Sequence, residues 1–399
     1  MENERTHSCW LNELKSAKSL EEWLINRQDA EFPHYDAQKG RSYQDCYKEV
    51  KRALLSVHDN TTIGALLESH QNLLAELNVE LESLVSNSAD FQTDKDELMR
   101  KLSPNNFTYL THHGSDHVDA VIRRLHALLK RTNGGTLSAF EVFVLLCAAQ
   151  VHDVGNIFGR KEHERRISEA ADTIMQPIIK DTVLRNSIYK IASAHGGHGN
   201  KDTIVYLRQD DRFLEQQFRP RLLASILRFA DEISDDSSRA DKLMMDLKKI
   251  EPTTQSAIHH AYSTSLSSSS VESDDGHTAY VRLEYNIYEQ TLTVEYQKGN
   301  GTVFLIDEIF ERVRKMEYER QYCSKYFGFI LPLTEIKFSI SIHSEIDRTK
   351  CETLSYTLSD MGYPTHKVEI KGQYVSNNSI IKHLNEKGWE IKDDERKDQ

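Results

Sequence analysis

The stretch "FEVFVLLCAAQVHDVGNIFG", Phe140 to Gly159, sets the fold of the chain. Up to Val151 it is apolar nearly all round, the pattern of a helix buried on every side. His152 and Asp153 then stand side by side at its end, and Gly155 follows as the expected C-cap. A carboxylate buried without a partner costs several kcal/mol or is forced neutral. The two side chains therefore need something to meet.

The flanking helices supply candidates. Upstream, "HVDAVIRRLHALLK" places Val118, Val121, Ile122, Leu125, Leu128 and Leu129 on one stripe, and His117 opens that helix on the same face as Val121 and Leu125. Downstream, "SIYKIASAH" ends in His195. "RLLASILRFADEIS" puts Asp231 one helical turn beyond Leu227, pointing towards a buried region. Any one of these, taken alone, reads as a capped helix end or a hydrogen-bonded core histidine. Together, at the ends of four helices, they are expected to converge on one point, where a metal ion removes the cost of burying the carboxylates. Mixed His/carboxylate sets suit Mn, Fe, Co, Ni, Zn or Mg, so one or two divalent ions are the expected cofactor.

Around this helical core, expected over 105–250 without strand alternation, the chain divides further. Residues 1–104 read as helical, with a leucine-rich amphipathic run at 66–85 and a break at "SPNNF". "STSLSSSSVESDDG", Ser263 to Gly276, lies within an expected Ser-rich linker or loop over 251–277. Residues 278–399 read as a smaller α+β unit. "TAYVRLEYNI" and "TLTVEYQ" are expected to form a hairpin around "YEQ", a helix follows at 304–327, and strands are expected at "EIKFSISIH", "HKVEIK" and "WEIK". Helices are expected at about 346–360 and 377–388. The fold class is thus mainly α: an all-helical core with N-terminal helices and a C-terminal α+β unit.

Composition narrows the function. The 399 residues carry 62 acidic and 50 basic side chains, a formal charge of −12. A protein that grips a long nucleic acid needs a basic surface, so the balance favours a mononucleotide or short oligonucleotide. The five scattered cysteines, Cys9, Cys46, Cys147, Cys323 and Cys351, read as reduced thiols in a cytoplasmic protein. Neither a membrane span nor a secretory leader is expected.

The order His117, His152-Asp153, His195, Asp231, with "VGN" after the dipeptide and "RFADEIS" downstream, resembles the HD-domain superfamily of metal-dependent phosphohydrolases. That resemblance covers about 105–245. It implies an HD-domain core in which His117, His152, Asp153 and Asp231 are the ligands of a first ion. "HGSDH" resembles the start of related phosphodiesterases, where the first histidine, here His113, donates a proton; His126 is the second candidate donor. His163, His195 and His198 resemble the extra histidines of two-metal members, in which the counterpart of Asp153 bridges both ions. Arg160, Lys161 and Arg165 are candidates to bind substrate phosphates, or form a solvated charge run. The "GYP" element of the cyclic-di-GMP phosphodiesterases is missing. The deoxynucleoside triphosphate triphosphohydrolases usually carry a histidine where this chain has Asn156. The pattern is similar to HD modules of bacterial conflict and anti-phage systems.

The resemblance implies metal-assisted hydrolysis of a nucleotide, deoxynucleoside triphosphates first, in a homo-oligomer with a possible nucleotide activator. A phosphodiesterase for a cyclic nucleotide or short signalling oligonucleotide is the rival reading. A nucleotide sensor without turnover is the reading from another class.

Overall fold

The computed structural model describes residues 2–27, 41–55, 57–58, 114–133, 136–159, 161–196, 202–234, 257–347, 349–359 and 368–391. The leucine-rich run at 66–85 lies outside the described residues. The chain is mostly helical, with a four-stranded sheet towards its C-terminus.

Among the described residues three N-terminal helices come first: α1 (Glu2–Ser16), α2 (Leu20–Ile25) and α3, over 43–55. Trp10 and Trp23 meet edge to face at 6.0 Å and join α1 to α2. The core follows with α4 (Ser115–Leu129), α5 (Ala139–Val151), α6 (Ile167–Met175), α7 (Thr182–Ser193) and α8 (Pro220–Glu232). Between α7 and α8 a short hairpin, β1 (Asp211–Phe213) with β2 (Gln216–Phe218), interrupts what the sequence presents as purely helical. Its Phe213 and Phe218 pack on Phe140, stacked at 5.8 Å and edge-on at 5.6 Å, so the hairpin plugs the start of α5.

α5 is the axis. Every residue from Phe140 to Val151 is buried. The segment 139–158 is long and apolar enough to cross a membrane by composition, yet 94 % of it is buried inside this protein, as befits a central core helix. Ser138 and Glu141 close a capping box at its start. Glu141 also accepts from Arg219, with Nε to Oε1 at 2.8 Å and Nη2 to Oε2 at 2.8 Å. Arg219 immediately precedes Pro220, the first residue of α8. One ion pair therefore pins the starts of α5 and α8 together. The two helices have 13 residues each, about 20 Å at 1.5 Å per residue, so they run side by side and finish at the same level.

The C-terminal part contains α9 (Ala257–Ser265), β3 (Leu266–Glu272), β4 (Ala279–Tyr288), β5 (Glu295–Lys298), β6 (Gly301–Phe304), α10 (Leu305–Phe327), β7 (Leu333–His343), β8 (Cys351–Ser359) and α11 (Asn377–Glu386). The sheet order is β3-β4-β7-β8. β4 and β7 are parallel, joined by a crossover that includes α10, and the outer pairs are antiparallel. Five expectations are corrected here. The Ser-rich stretch is not all loop, because it contains the edge strand β3. β4 pairs with β3 and β7, while β5 pairs with β6 across Gly299-Asn300; Gly299, at φ 59, occupies the position where a type II′ hairpin needs glycine. The helix expected at about 346–360 is instead β8, whose Leu354, Tyr356 and Leu358 are buried at period two. At the strand expected over 366–371, only Lys371 makes a ladder contact among the described residues, bridging to Thr357. Trp389 to Ile391 form no strand.

One continuous apolar cluster runs from α1 through α5 to the sheet and α11. α10 packs along α8. Arg131 donates to the Val271 carbonyl at 3.2 Å and Ser269 to that of Ile233 at 3.2 Å, which seats β3 against the ends of α4 and α8. The ion pair at the start of α5 is the feature most open to test. Glu141→Ala leaves Arg219 without its carboxylate and is expected to lower unfolding stability by about 3 kcal/mol, read by denaturant titration. A loss within experimental error would show that the pair does not set the helix register.

Candidate metal centre

The ends of four helices meet as two groups of potential ligands. His117, in the first turn of α4, His152, at the C-cap of α5, and Asp231, in the last turn of α8, form the first. His117 Nε2 stands 3.2 Å from Asp231 Oδ1 and 3.3 Å from His152 Nε2, and His152 Nε2 stands 3.7 Å from Asp231 Oδ1. Asp153, His163 and His195 form the second. His163 Nε2 is 3.1 Å from Asp153 Oδ1 and 3.2 Å from His195 Nε2, and His195 Nε2 is 3.6 Å from Asp153 Oδ1.

Asp153 belongs to both groups. Its Oδ1 faces His163 and His195, while its Oδ2 lies 3.5 Å from His117 Nε2 and 3.6 Å from His152 Nε2. One carboxylate thus offers one oxygen to each side. The spacing fits coordination: ligand atoms about 2.1 Å from a common ion stand roughly 3.0–3.4 Å apart. The nitrogens are also aimed. His152 Nδ1 lies 2.8 Å from the Ala149 carbonyl and His195 Nδ1 lies 2.6 Å from that of Ala192, so each Nδ1–H donates to the turn before it and Nε2 is the nitrogen turned into the ligand group. The donor set, four imidazoles and two carboxylates, suits divalent transition metals. His117, His152, Asp153 and Asp231 would hold a first ion, and Asp153, His163 and His195 a second.

Electrostatics agree with that use. Burial alone would push the His152 imidazole down, but the Asp153 and Asp231 carboxylates outweigh it and lift it to about 9. Burial opposes ionisation of Asp231, yet hydrogen bonds from His117 and His152 hold its carboxyl well below the usual range. In the metal-free protein the imidazoles offset the carboxylates, the task a cation takes over when bound.

Two local features place His163. The chain reaches it through Glu162 in the left-handed conformation, φ 55, a conformation uncommon for residues other than glycine. Glu164, buried, sets Oε2 3.4 Å from His163 Nδ1, the carboxylate–histidine arrangement that orients a ligand ring. Gly155 is no C-cap. It lies inside a 3-10 turn, Val154–Phe158, and a Cβ there would come 2.0 Å from the His163 carbonyl oxygen. Glycine lets that turn lie directly against the His163 backbone. The sequence reading missed both roles: nothing in it signals the close approach at Gly155, and Glu164 reads as one more charge in "RKEHERR".

The other candidates separate. His113, Arg160 and His198 lie outside the described residues. His126 is buried on α4, its Nε2 3.0 Å from the Leu14 carbonyl, and it belongs to neither ligand group. Burial pushes its imidazole down, and its contact joins α4 to α1. Arg165 is exposed and pairs with Glu162 at 2.9 Å; Lys161 is exposed.

Histidines and aspartates on helix ends, gathered around an HD dipeptide, define an HD-type domain, and such a domain points to metal-dependent phosphohydrolase chemistry. The HD-CE family model matches residues 107–315, just over half of the chain, and the chain belongs to that family. The match runs past the helical core through β3–β6 and into α10. No curated protein and no solved structure matches the chain.

Gly155→Ala is expected to displace His163 and strip the second group of its ion while leaving the first loaded. Metal analysis of the purified variant should find one ion fewer than in the native protein loaded in the same way. An equal ion content would show that the close approach does not place the ligand.

Proposed function

We propose that this protein is a metal-dependent phosphohydrolase acting on nucleotides, with deoxynucleoside triphosphates first among the substrates. The observation that carries the hydrolase reading is the division of Asp153 between two ligand groups, one oxygen to each. Held by His117, His152, Asp153 and Asp231 and by Asp153, His163 and His195, divalent ions would supply an activated water and charge neutralisation for in-line displacement at phosphorus. The residues do the rest. Backbone carbonyls at Ala149 and Ala192 keep His152 and His195 turned inward. Near-complete burial of His117 and His152 excludes bulk water from the first group, and Asp231, with its side chain 25 % exposed, opens it to one side. The resemblance of "HGSDH" to related phosphodiesterases assigns proton delivery to His113; the second candidate, His126, faces the Leu14 carbonyl instead.

Support for a small nucleotide is the formal charge of −12, which disfavours a polymer. Support for a triphosphate is the partial likeness of "HDVGNIFG" to the triphosphohydrolase motif. The second group of ligands favours one rival, a two-metal phosphodiesterase for a cyclic nucleotide or short oligonucleotide. A homo-oligomer, a nucleotide activator and a part in anti-phage defence are proposed on the family likeness alone.

A chromatographic screen of Mn²⁺-loaded protein against deoxynucleoside triphosphates, nucleoside triphosphates and cyclic dinucleotides tests the reading. Release of triphosphate or phosphate is expected, and Asp153→Ala should reduce both metal content and turnover to background. Linearised cyclic product would establish the phosphodiesterase instead. Turnover retained by Asp153→Ala would sink the assignment.

A further inference from the structure

We propose that Arg228 is a positioning residue for the second ligand group, and that through it this group depends on α10. Arg228 lies on α8 three residues before Asp231, and its side chain is 5 % exposed. Each edge of its guanidinium is committed. Nε and Nη2 donate to the two oxygens of Glu319, on α10, at 2.7 and 2.8 Å. Nη1 donates to Thr203 Oγ1 at 3.0 Å and to the Ala194 carbonyl at 3.4 Å. Its face lies over the Tyr322 ring at 4.8 Å. Ala194 immediately precedes the ligand His195, and Thr203 Oγ1 donates to the same carbonyl at 2.8 Å.

α10 also grips the chain beyond that ligand. Tyr322 donates to Asp202 at 2.8 Å and accepts from the Ile204 amide at 3.0 Å. The segment carrying His195 is therefore held before the ligand by Arg228 and after it by Tyr322. Arg228 is in turn oriented by Glu319. A metal tolerates ligand displacements of only about 0.2 Å, so a shift at Ala194 is felt at His195 Nε2. Lysine cannot replace the arginine here, because a point-charge ammonium lacks the planar fork that reaches Glu319 and Ala194 at once. Asp231, at the end of the same helix, belongs to the first group but is tied independently to His117 and His152. The second group is the one that depends on this seam, and residues beyond the helical core help to build it.

The inference rests on the two-group reading of the centre, and the test separates the two. Full-length native protein, Arg228→Lys, Glu319→Gln and Tyr322→Phe are stripped of metal and titrated with Mn²⁺ by calorimetry, alongside elemental analysis and thermal unfolding of the metal-free forms. The native chain is expected to take two ions. Arg228→Lys should keep the first and bind the second about 10- to 100-fold more weakly, with smaller changes in the same direction for the other two. Should Arg228→Lys fail to fold, Glu319→Gln and Tyr322→Phe decide the matter. Two ions bound by every variant as tightly as by the native chain would overturn the role of Arg228 and leave the two-group reading standing. Equal weakening of both ions, tracking a lower unfolding temperature, would reduce Arg228 to a structural residue. A native chain that takes fewer than two ions would overturn both.

Discussion

Asp153 is a carboxylate, 5 % exposed, at the end of a helix with no exposed residue after its start. An ionised group in that place is tolerated only when its oxygens are paired, hydrogen-bonded or bound to a metal. The surrounding architecture meets that requirement from several directions. α4 brings His117 and α5 itself His152 to one oxygen, α7 leads to His195 at the other, and the turn after Val154 folds back so closely that His163 reaches that second oxygen too. The Glu141–Arg219 pair at the far end of α5 and α8 fixes which residues of those helices come level with one another.

The same constraint explains why the C-terminal unit is built into the core. α8 must be held along its length if Asp231 is to stay in register, and α10 lies against it. Lys315 of α10 pairs with Glu232 at 2.7 Å, one residue beyond Asp231. The buried Arg228–Glu319 pair stands one turn further back. The HD-CE match ends within α10, so the family unit takes in the first turns of the helix that braces the centre.

Much of the site was legible in the sequence because it is written on helices. Histidine and aspartate at the ends of apolar stripes are visible from period 3.6 alone, and His117, His152, Asp153, His195 and Asp231 fall where that reading puts them. The sheet was harder. β3, "LSSSSVE", has no apolar alternation: its serines turn to backbone carbonyls and to Glu272, so an edge strand looks like a linker. β8 did carry period-two burial at Leu354, Tyr356 and Leu358, but short polar residues between them blurred it. The pairing of β4 with β7 is set by a long crossover, which no local pattern reports. The groups that orient the ligands, Glu164, Gly155 and Arg228, were invisible for the same reason. Each acts through a contact between segments that only folding brings together.

The most direct test of the account is the electron paramagnetic resonance spectrum of the protein loaded with Mn²⁺. A carboxylate shared between ions about 3.5–4 Å apart predicts an exchange-coupled pair, with a spectrum unlike that of an isolated ion. The six-line spectrum of uncoupled Mn²⁺ at full loading would contradict the shared role of Asp153, and with it the proposed two-ion centre.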